Sequence, residues 1–384
     1  GYRENMVLRV NKALYGLRRS AYLWYCTARD YLISLGFEIS SADACLFRRI
    51  TTESKVFIIL HVDDFGVAAS SEQIMDHFVT QLSNRFGVKD LGPITRYLSY
   101  NVNHNRGQQT ITLHQTDFIA DTLLRAQMLD CHPSKSKGDL FLRGFTHKDS
   151  ETPPQQPFPY RSIVGCLQHL ASHSRPDISF ETATLAKFCQ KPGDIHVRAC
   201  QQLLRYLKHT CDWGLILGGK DTPELYGFAD ATEYAEHETA RGTGGYIFKF
   251  GNGTISHKSK WYRNIYPSST EAELVALYMA TSQTIWLRKI MDFFLYSTQL
   301  PTTIYVDNDG ALKYCHNLDK AGRMRHINIK FHFIREKIQS NEIATELIPT
   351  FSNSADIMTK TLRGSKLQSF SKDLGLQSMD TIAC

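Results

Sequence analysis

Two sets of carboxylates carry the chemistry that this sequence suggests. Asp63 and Asp64 lie side by side within Leu60-His61-Val62-Asp63-Asp64-Phe65. Asp230, Glu273, Asp307 and Asp356 are spread over the last third of the chain. An ionised pair such as Asp63-Asp64 is costly to desolvate unless cations or donors face it. Two readings of the pair therefore stand: a solvent-exposed turn, where Asp is common, or a metal site that handles phosphates. For the other four acids the chemistry in view is two-metal phosphodiester hydrolysis. There two Mg²⁺ ions ~3.5–4 Å apart activate a water and stabilise the leaving oxygen. Mg²⁺ takes hard oxygen ligands, and no His or Cys that would suggest zinc stands at these positions.

The elements around these acids have to bring them together. Lys55-Val56-Phe57-Ile58-Ile59 and Gly66-Val67-Ala68-Ala69 read as two strands of a hairpin with Asp63-Asp64 at the bend. Glu224 to Asp230 and Thr302 to Asp307 each read as a strand ending in an acid. Ser268-Ser269-Thr270 cap a long helix from Glu271 to about Phe294, which places Glu273 in its first turn. Ser354-Ala355-Asp356 opens another helix. Each acid also has an ordinary explanation, since Glu273 and Asp356 are favourable near helix N-termini and Asp307-Asn308 suits a turn. Strand ends and helix starts can nevertheless converge on one edge of an α/β layer. Two of each, in order, make a less common accident than any one alone.

The totals limit what surrounds them. With 384 residues, 42% hydrophobic and 21% charged, the chain can build two or three full cores. A net charge of +6 permits a polyanionic partner without requiring one. Nine cysteines show no C-x-x-C pair, and are expected to be reduced core thiols of an intracellular protein. No apolar run approaches the ~20 residues of a membrane span. The chain opens at Gly1-Tyr2-Arg3 without Met and is expected to be a piece of something longer.

Elsewhere the pattern predicts helices over Ser20–Leu35, Ser71–Phe86 and Thr116–Met128, with short strands around Thr95–Asn103 and Gln109–Leu113. Residues 130–159, with Pro133, Gly138, Gly144, Pro153, Pro154, Pro157 and Pro159, read as a linker. Three helices follow between 160 and 210. Their cations Arg161, Arg175, Lys187, Arg198, Arg205 and Lys208 form either a solvated face or a nucleic-acid track. Further on, Gly251-Asn252-Gly253 joins two strands in a hairpin, and helices are expected at Gly310–Asn317 and Ile329–Ser340 with a strand near Ala344–Pro349.

Several of these runs together resemble one family. Leu225-Tyr226-Gly227-Phe228-Ala229-Asp230-Ala231, Ser268-Ser269-Thr270-Glu271-Ala272-Glu273-Leu274, Val306-Asp307-Asn308, His326-Ile327-Asn328-Ile329-Lys330 and Ala355-Asp356-Ile357-Met358-Thr359-Lys360 resemble the ribonuclease H domain of Ty1/copia-type retrotransposon Pol polyproteins. Leu14-Tyr15-Gly16-Leu17, Val62-Asp63-Asp64, Arg175-Pro176-Asp177-Ile178 and Leu204-Arg205-Tyr206-Leu207-Lys208 resemble the same family's reverse transcriptase and connecting region.

The resemblance implies an α+β multidomain fold. A partial reverse transcriptase palm and the start of the thumb would span 1–129, and the linker 130–159. A helical thumb/connection would follow over 160–215. A ribonuclease H-like mixed five-stranded sheet flanked by helices would take 222–365, and a C-terminal tail 366–384. It also implies that Asp63 and Asp64 are two of three polymerase metal-binding aspartates, and that Asp230, Glu273, Asp307 and Asp356 are the ribonuclease H metal-binding acids.

The implied cofactor is Mg²⁺, two ions per active site, with Mn²⁺ as an alternative. The implied partners are RNA–DNA hybrid and primer–template nucleic acid, together with other parts of the polyprotein, and no membrane. The implied location is intracellular, in a cytoplasmic virus-like particle or the nucleus. Four departures fall on the polymerase side. The family's first polymerase aspartate is expected upstream of residue 1, Arg19 and His61 replace the family's Gln and aromatic residue, and Ser99 stands where Gly is common. No complete polymerase site is therefore expected, and cleavage of RNA in hybrids is the surviving activity. A non-catalytic remnant or a co-opted nucleic-acid-binding protein, which would bind hybrids without cutting them, is the other reading.

Overall fold

A computed structural model of the chain describes residues 13–14, 16–219, 223–232, 241–316 and 328–379. It divides into two compact units, one of residues 1–94 with 286–298 and one of 95–285 with 299–384.

The first unit contains α1 (Ser20–Ser34), β1 (Glu38–Ile39), β2 (Leu46–Ile50), β3 (Lys55–His61), β4 (Asp64–Ala69) and α2 (Glu72–Phe86). The four strands form one antiparallel sheet in sequence order. Alternation along β3 sends Val56, Ile58 and Leu60 into the core, where they meet Ala28, Leu32, Phe47, Phe78 and Leu82. Ser71 starts α2 by accepting the Ile74 N–H at 3.3 Å, and Gly87 ends it in the left-handed region at φ 66°. Residues 286–298 are held by Trp286, whose indole donates to the Ala42 carbonyl at 3.1 Å, and by Arg48. The Arg48 guanidinium donates to the Phe293 carbonyl at 3.0 Å and lies over the Phe293 ring.

The second unit begins with β5 (Arg96–Tyr97), β6 (Tyr100–Asn105), β7 (Thr110–His114) and α3 (Thr116–Arg125). Then come α4 (Leu140–Arg143), α5 (Tyr160–His173), α6 (Ser179–Ala186), α7 (Asp194–His209) and β8 (Trp213–Gly218). The last third holds β9 (Leu225–Thr232), β10 (Thr243–Phe250), β11 (Gly253–Trp261), α8 (Ser269–Phe293), β12 (Thr302–Val306), α9 (Asp309–His316), α10 (Asn328–Gln339) and β13 (Ile343–Leu347). It closes with α11 (Asp356–Thr359), α12 (Gly364–Asp373) and β14 (Leu376–Ser378).

Two five-stranded sheets result, one antiparallel in the order β14-β8-β7-β6-β5 and one mixed in the order β11-β10-β9-β12-β13. The mixed sheet is the one the sequence led us to expect. In it β9 pairs antiparallel with β10 and parallel with β12. Among the described residues no helix is long and apolar enough to cross a membrane.

Residues 130–159 and 366–379 differ from expectation. Within the expected linker, Phe141 and Phe145 are buried in the main core, and Lys137 is fully buried against Glu181 at 2.7 Å. The expected tail supplies α12 and β14, which bury Leu367, Phe370, Leu374 and Leu376 in that same core. That core also contains Leu167 and Leu203 from the helical segment and Ile247 and Ile357 from around the mixed sheet.

A buried polar cluster ties these pieces together. Arg175 grips Asp177 through two hydrogen bonds of 3.0 and 2.8 Å and donates to the Thr210 carbonyl at 3.0 Å. Tyr206 donates to Asp177 at 2.7 Å, and Thr361 to Glu181 at 3.0 Å. Burial by itself would raise the Asp177 carboxyl, yet Arg175, Tyr206 and Lys137 hold it below its ordinary range. This gives Arg175-Pro176-Asp177 and Tyr206 a structural role. Near them, Ser99 bonds Gln115 Nε2 at 3.1 Å and His169 Nε2 at 2.9 Å, a use of the side chain that glycine could not supply.

Candidate metal centre

The mixed sheet sets the spacing of the two strand-end acids. Tyr305 on β12 pairs with Phe228 on β9 in parallel, so two residues later Asp307 comes abreast of Asp230. Ser268 accepts the Glu271 N–H at 3.3 Å at the start of α8, whose first turns carry Glu273 inward. One carboxylate oxygen from each of Asp230, Glu273 and Asp307 can be chosen so that all lie within 4.8 Å of one another. Among the described residues this is the single such group of three or more acidic, His or Cys ligands.

Burial makes the group electrostatically tense. Burial, and then the charge of Asp356, push the Asp230 carboxyl up to about 7. Burial followed by the charges of Asp230 and Asp307 raises Glu273 well above its ordinary range. Glu273 Oε2 is buried and has no hydrogen-bond partner among the described residues. Three convergent carboxylates, one with an unused buried oxygen, fit a hard divalent cation, whose charge would relieve the mutual repulsion.

The short helix α11 braces Asp230 from below. Asn353 donates to the Ala229 carbonyl at 3.0 Å and accepts the Ala355 N–H at 3.1 Å, which pins the helix start to β9. Thr359 Oγ1 then donates to Asp230 Oδ2. The close approach requires Gly245, which lies opposite Asp230 on β10; a Cβ there would sit 2.4 Å from the Met358 Cβ. The sequence reading quoted Thr359 without giving it a role and missed Asn353, although an Asn just before a helix start is a capping signal.

Asp356 is placed differently from its three companions. It is fully buried, but its oxygens pair with Lys360 Nζ and Lys366 Nζ, both at 2.6 Å. Burial opposes the charge on Lys360, yet its hydrogen bond to Asp356 and the nearby Asp230 raise its pKa.

Asp63 and Asp64 stand in the first unit at the tip of the β3–β4 hairpin, where His61 faces Asp64 and Val62 takes φ 54°. Both acids are exposed, and among the described residues they join no third acid in a ligand group. The Val62 carbonyl is held by the Trp24 indole at 2.6 Å, which fixes the turn.

The cations of residues 160–210 are largely engaged within the fold. Arg198 pairs with Asp194 at 3.0 Å, Arg205 donates to the His132 carbonyl at 2.7 Å, and Lys208 donates to the Leu129 carbonyl at 2.5 Å. Lys187 lies over the Trp261 ring, and Arg161 is exposed.

Residues 2–137 match a family model described as reverse transcriptase (RNA-dependent DNA polymerase). The chain is 32% identical over 374 residues to the retrovirus-related Pol polyprotein from transposon RE2 of Arabidopsis thaliana, covering 97% of this chain and 25% of that polyprotein. It thus spans about a quarter of that relative's length. It is 31% identical over 277 residues to the putative transposon Ty5-1 protein YCL074W of Saccharomyces cerevisiae, covering 71% of this chain and 86% of that protein. A foamy viral protease-reverse transcriptase, solved in complex with RNA/DNA hybrid, superposes with a TM-score of 0.46 and 14% identity over 88% of this chain and 39% of its own. The chain belongs to the Ty1/copia-type family of retrovirus-related transposon Pol polyproteins.

Proposed function

We propose that the second unit hydrolyses the RNA strand of RNA–DNA hybrids in a divalent-cation-dependent reaction, with Mg²⁺ as the cation. The observation that carries this reading is the convergence of Asp230, Glu273 and Asp307 on one end of the mixed sheet. Membership in a Pol polyprotein family supports a nucleic-acid substrate. Asp230, Glu273 and Asp307 would hold the cation, which lowers the pKa of a water and stabilises the leaving oxygen. Thr359 keeps Asp230 turned toward its partners, and Glu273 offers a buried oxygen that has no hydrogen-bond partner among the described residues. In the first unit, Asp63 and Asp64 are a polymerase metal pair by descent, and no complete polymerase site is proposed. The test is cleavage of a fluorescent RNA–DNA hybrid by the purified chain in Mg²⁺, with Asp230→Asn as control. Equal background from both proteins would sink the proposal. Salt-sensitive hybrid binding without cleavage would favour the non-catalytic reading instead.

A further inference from the structure

We propose that Lys137 and Glu181 are positioning residues for the metal centre: through Thr361 they hold the C-terminal end of α11, and with it the threonine that orients Asp230. This rests on the hydrolytic reading above and names what sets the geometry of that site from outside it.

The chain of contacts is short and buried throughout. Thr359, which donates to Asp230, is the last residue of α11. The backbone leaves the helix extended at Lys360, with φ −151° and ψ 157°, and Thr361 follows at once. No turn lies between the two threonines to absorb a displacement. Thr361 Oγ1 donates to Glu181 Oε1 at 3.0 Å, and the Lys137 ammonium reaches the same oxygen at 2.7 Å. Glu181 Oε2 has no hydrogen-bond partner among the described residues. Both donors therefore share one atom, and a change at Lys137 passes to Thr361 without an intermediary. Asp356 opens the same four-residue helix, so the brace sets that carboxylate too.

The far end of the brace is anchored independently. Lys137 and Glu181 are fully buried, and Lys137 also donates to the Asp177 carbonyl at 2.8 Å. Glu181 stands on α6, which packs against both β11 and α11. The strand of chain that delivers Lys137 is pinned to α7, where the Ser134 N–H donates to the Arg205 carbonyl at 3.0 Å. Next to it Gly138 takes φ 112° and passes so close to α7 that a Cβ would lie 2.2 Å from Gln202 Oε1. A buried ion pair adds little net stability, because desolvating both ions offsets most of their attraction. Its use here is to fix where atoms stand. Lys137 is also the last residue of the stretch that matches reverse transcriptase, so the centre takes support from outside the segment that carries its acids.

Three measurements on the whole chain test this. In titration calorimetry with Mn²⁺, Thr361→Val keeps the shape, removes the donor and should weaken binding about three- to tenfold. Thr361→Ser keeps the donor and should stay within about twofold of the unaltered protein. The double variant Lys137→Met with Glu181→Leu should hold its urea midpoint near the parent's, yet bind Mn²⁺ as weakly as Thr361→Val. Amide exchange without metal should rise about tenfold over residues 353–361 in Thr361→Val and stay unchanged in α8. A lowered urea midpoint with parental Mn²⁺ affinity and exchange is the mark of a merely structural role and would overturn the proposal. So would a serine variant as damaged as the valine one. Should Asp230→Asn keep full Mn²⁺ affinity, the triad reading is what fails, and the exchange arm alone decides whether these residues hold α11.

Discussion

Replacing Gly245 with Ala tests how the metal centre is braced. The added Cβ would lie 2.4 Å from the Met358 Cβ and 3.0 Å from the Lys258 carbonyl oxygen. Ordinary carbon–carbon contact is about 3.5–4.0 Å, so β10 and α11 must separate by about 1.1–1.6 Å. The helix cannot simply float away, because Asn353 and Thr359 both tie it to β9. Overpacking of this kind costs about 1–3 kcal/mol. If the strain is relieved by moving Thr359, Asp230 loses the hydrogen bond that orients it, a change that typically weakens metal affinity 10- to 100-fold, or about 1.4–2.7 kcal/mol. Urea denaturation followed by circular dichroism should show a lower midpoint at unchanged slope. Calorimetry should show the weaker Mn²⁺ binding. The matched control is Gly165→Ala in α5, where a Cβ meets nothing within 4 Å and the exchange should stabilise by about 0.5–1 kcal/mol. If Gly245→Ala proves as stable as Gly165→Ala and binds Mn²⁺ as tightly as the parent, the close approach of α11 does not set the site.

Three further outcomes are expected. Arg175→Met strands the Asp177 carboxylate, with Tyr206 as its remaining hydrogen-bond partner, and should destabilise the second unit by about 3–5 kcal/mol in urea melts. His196 is buried neutral: burial lowers its pKa to about 4, its Nδ1 accepts the Gly193 N–H at 2.9 Å, and its ring stacks on Phe188. The unfolded chain binds this proton near pH 6.5, so the stability is fully present above that pH and is lost as pH falls toward 4. The swing is about 3–3.5 kcal/mol, and His196→Phe should remove that part of the acid slope when the two proteins are compared across the range. Phe370→Ala in α12 should cost about 3–5 kcal/mol, as befits a core position. Loss of under 1 kcal/mol there would mean that α12 contributes little to the core.

Much of the acidic cluster was legible because its parts are local. A strand that ends in an acid, or a capped helix with an acid in its first turn, is visible in a few residues, and Asp230, Glu273 and Asp307 did meet. What brings Asp307 abreast of Asp230 is the parallel register of β9 and β12, which lies far beyond any local window. The partners of Asp356 were hidden in the same way: Lys360 follows by one helical turn, but Lys366 comes from the next helix. Asp63-Asp64 shows the converse, since adjacency in sequence produced an exposed hairpin tip and no ligand group among the described residues. The Pro- and Gly-rich stretch 130–159 misled because backbone breakers report chain direction, not burial. Phe141, Phe145 and Lys137 are buried there through partners on later helices. The strand β8 was missed because Leu215-Ile216-Leu217 is apolar without alternation, which does not tell a strand from a helix, and its neighbours β7 and β14 lie on opposite sides of it in the chain.

The pairing of β8 has a kinetic consequence. Leu215 lies opposite Leu113 on one side and opposite Leu376 on the other. Such long separations raise the contact order and slow the search for the native state, because loop closure must come before the contacts reward it. During synthesis β8 would emerge with β7 available and its other edge bare until β14 left the ribosome. For that interval an apolar strand edge is open to wrong partners, the condition under which nascent chains aggregate or need a chaperone.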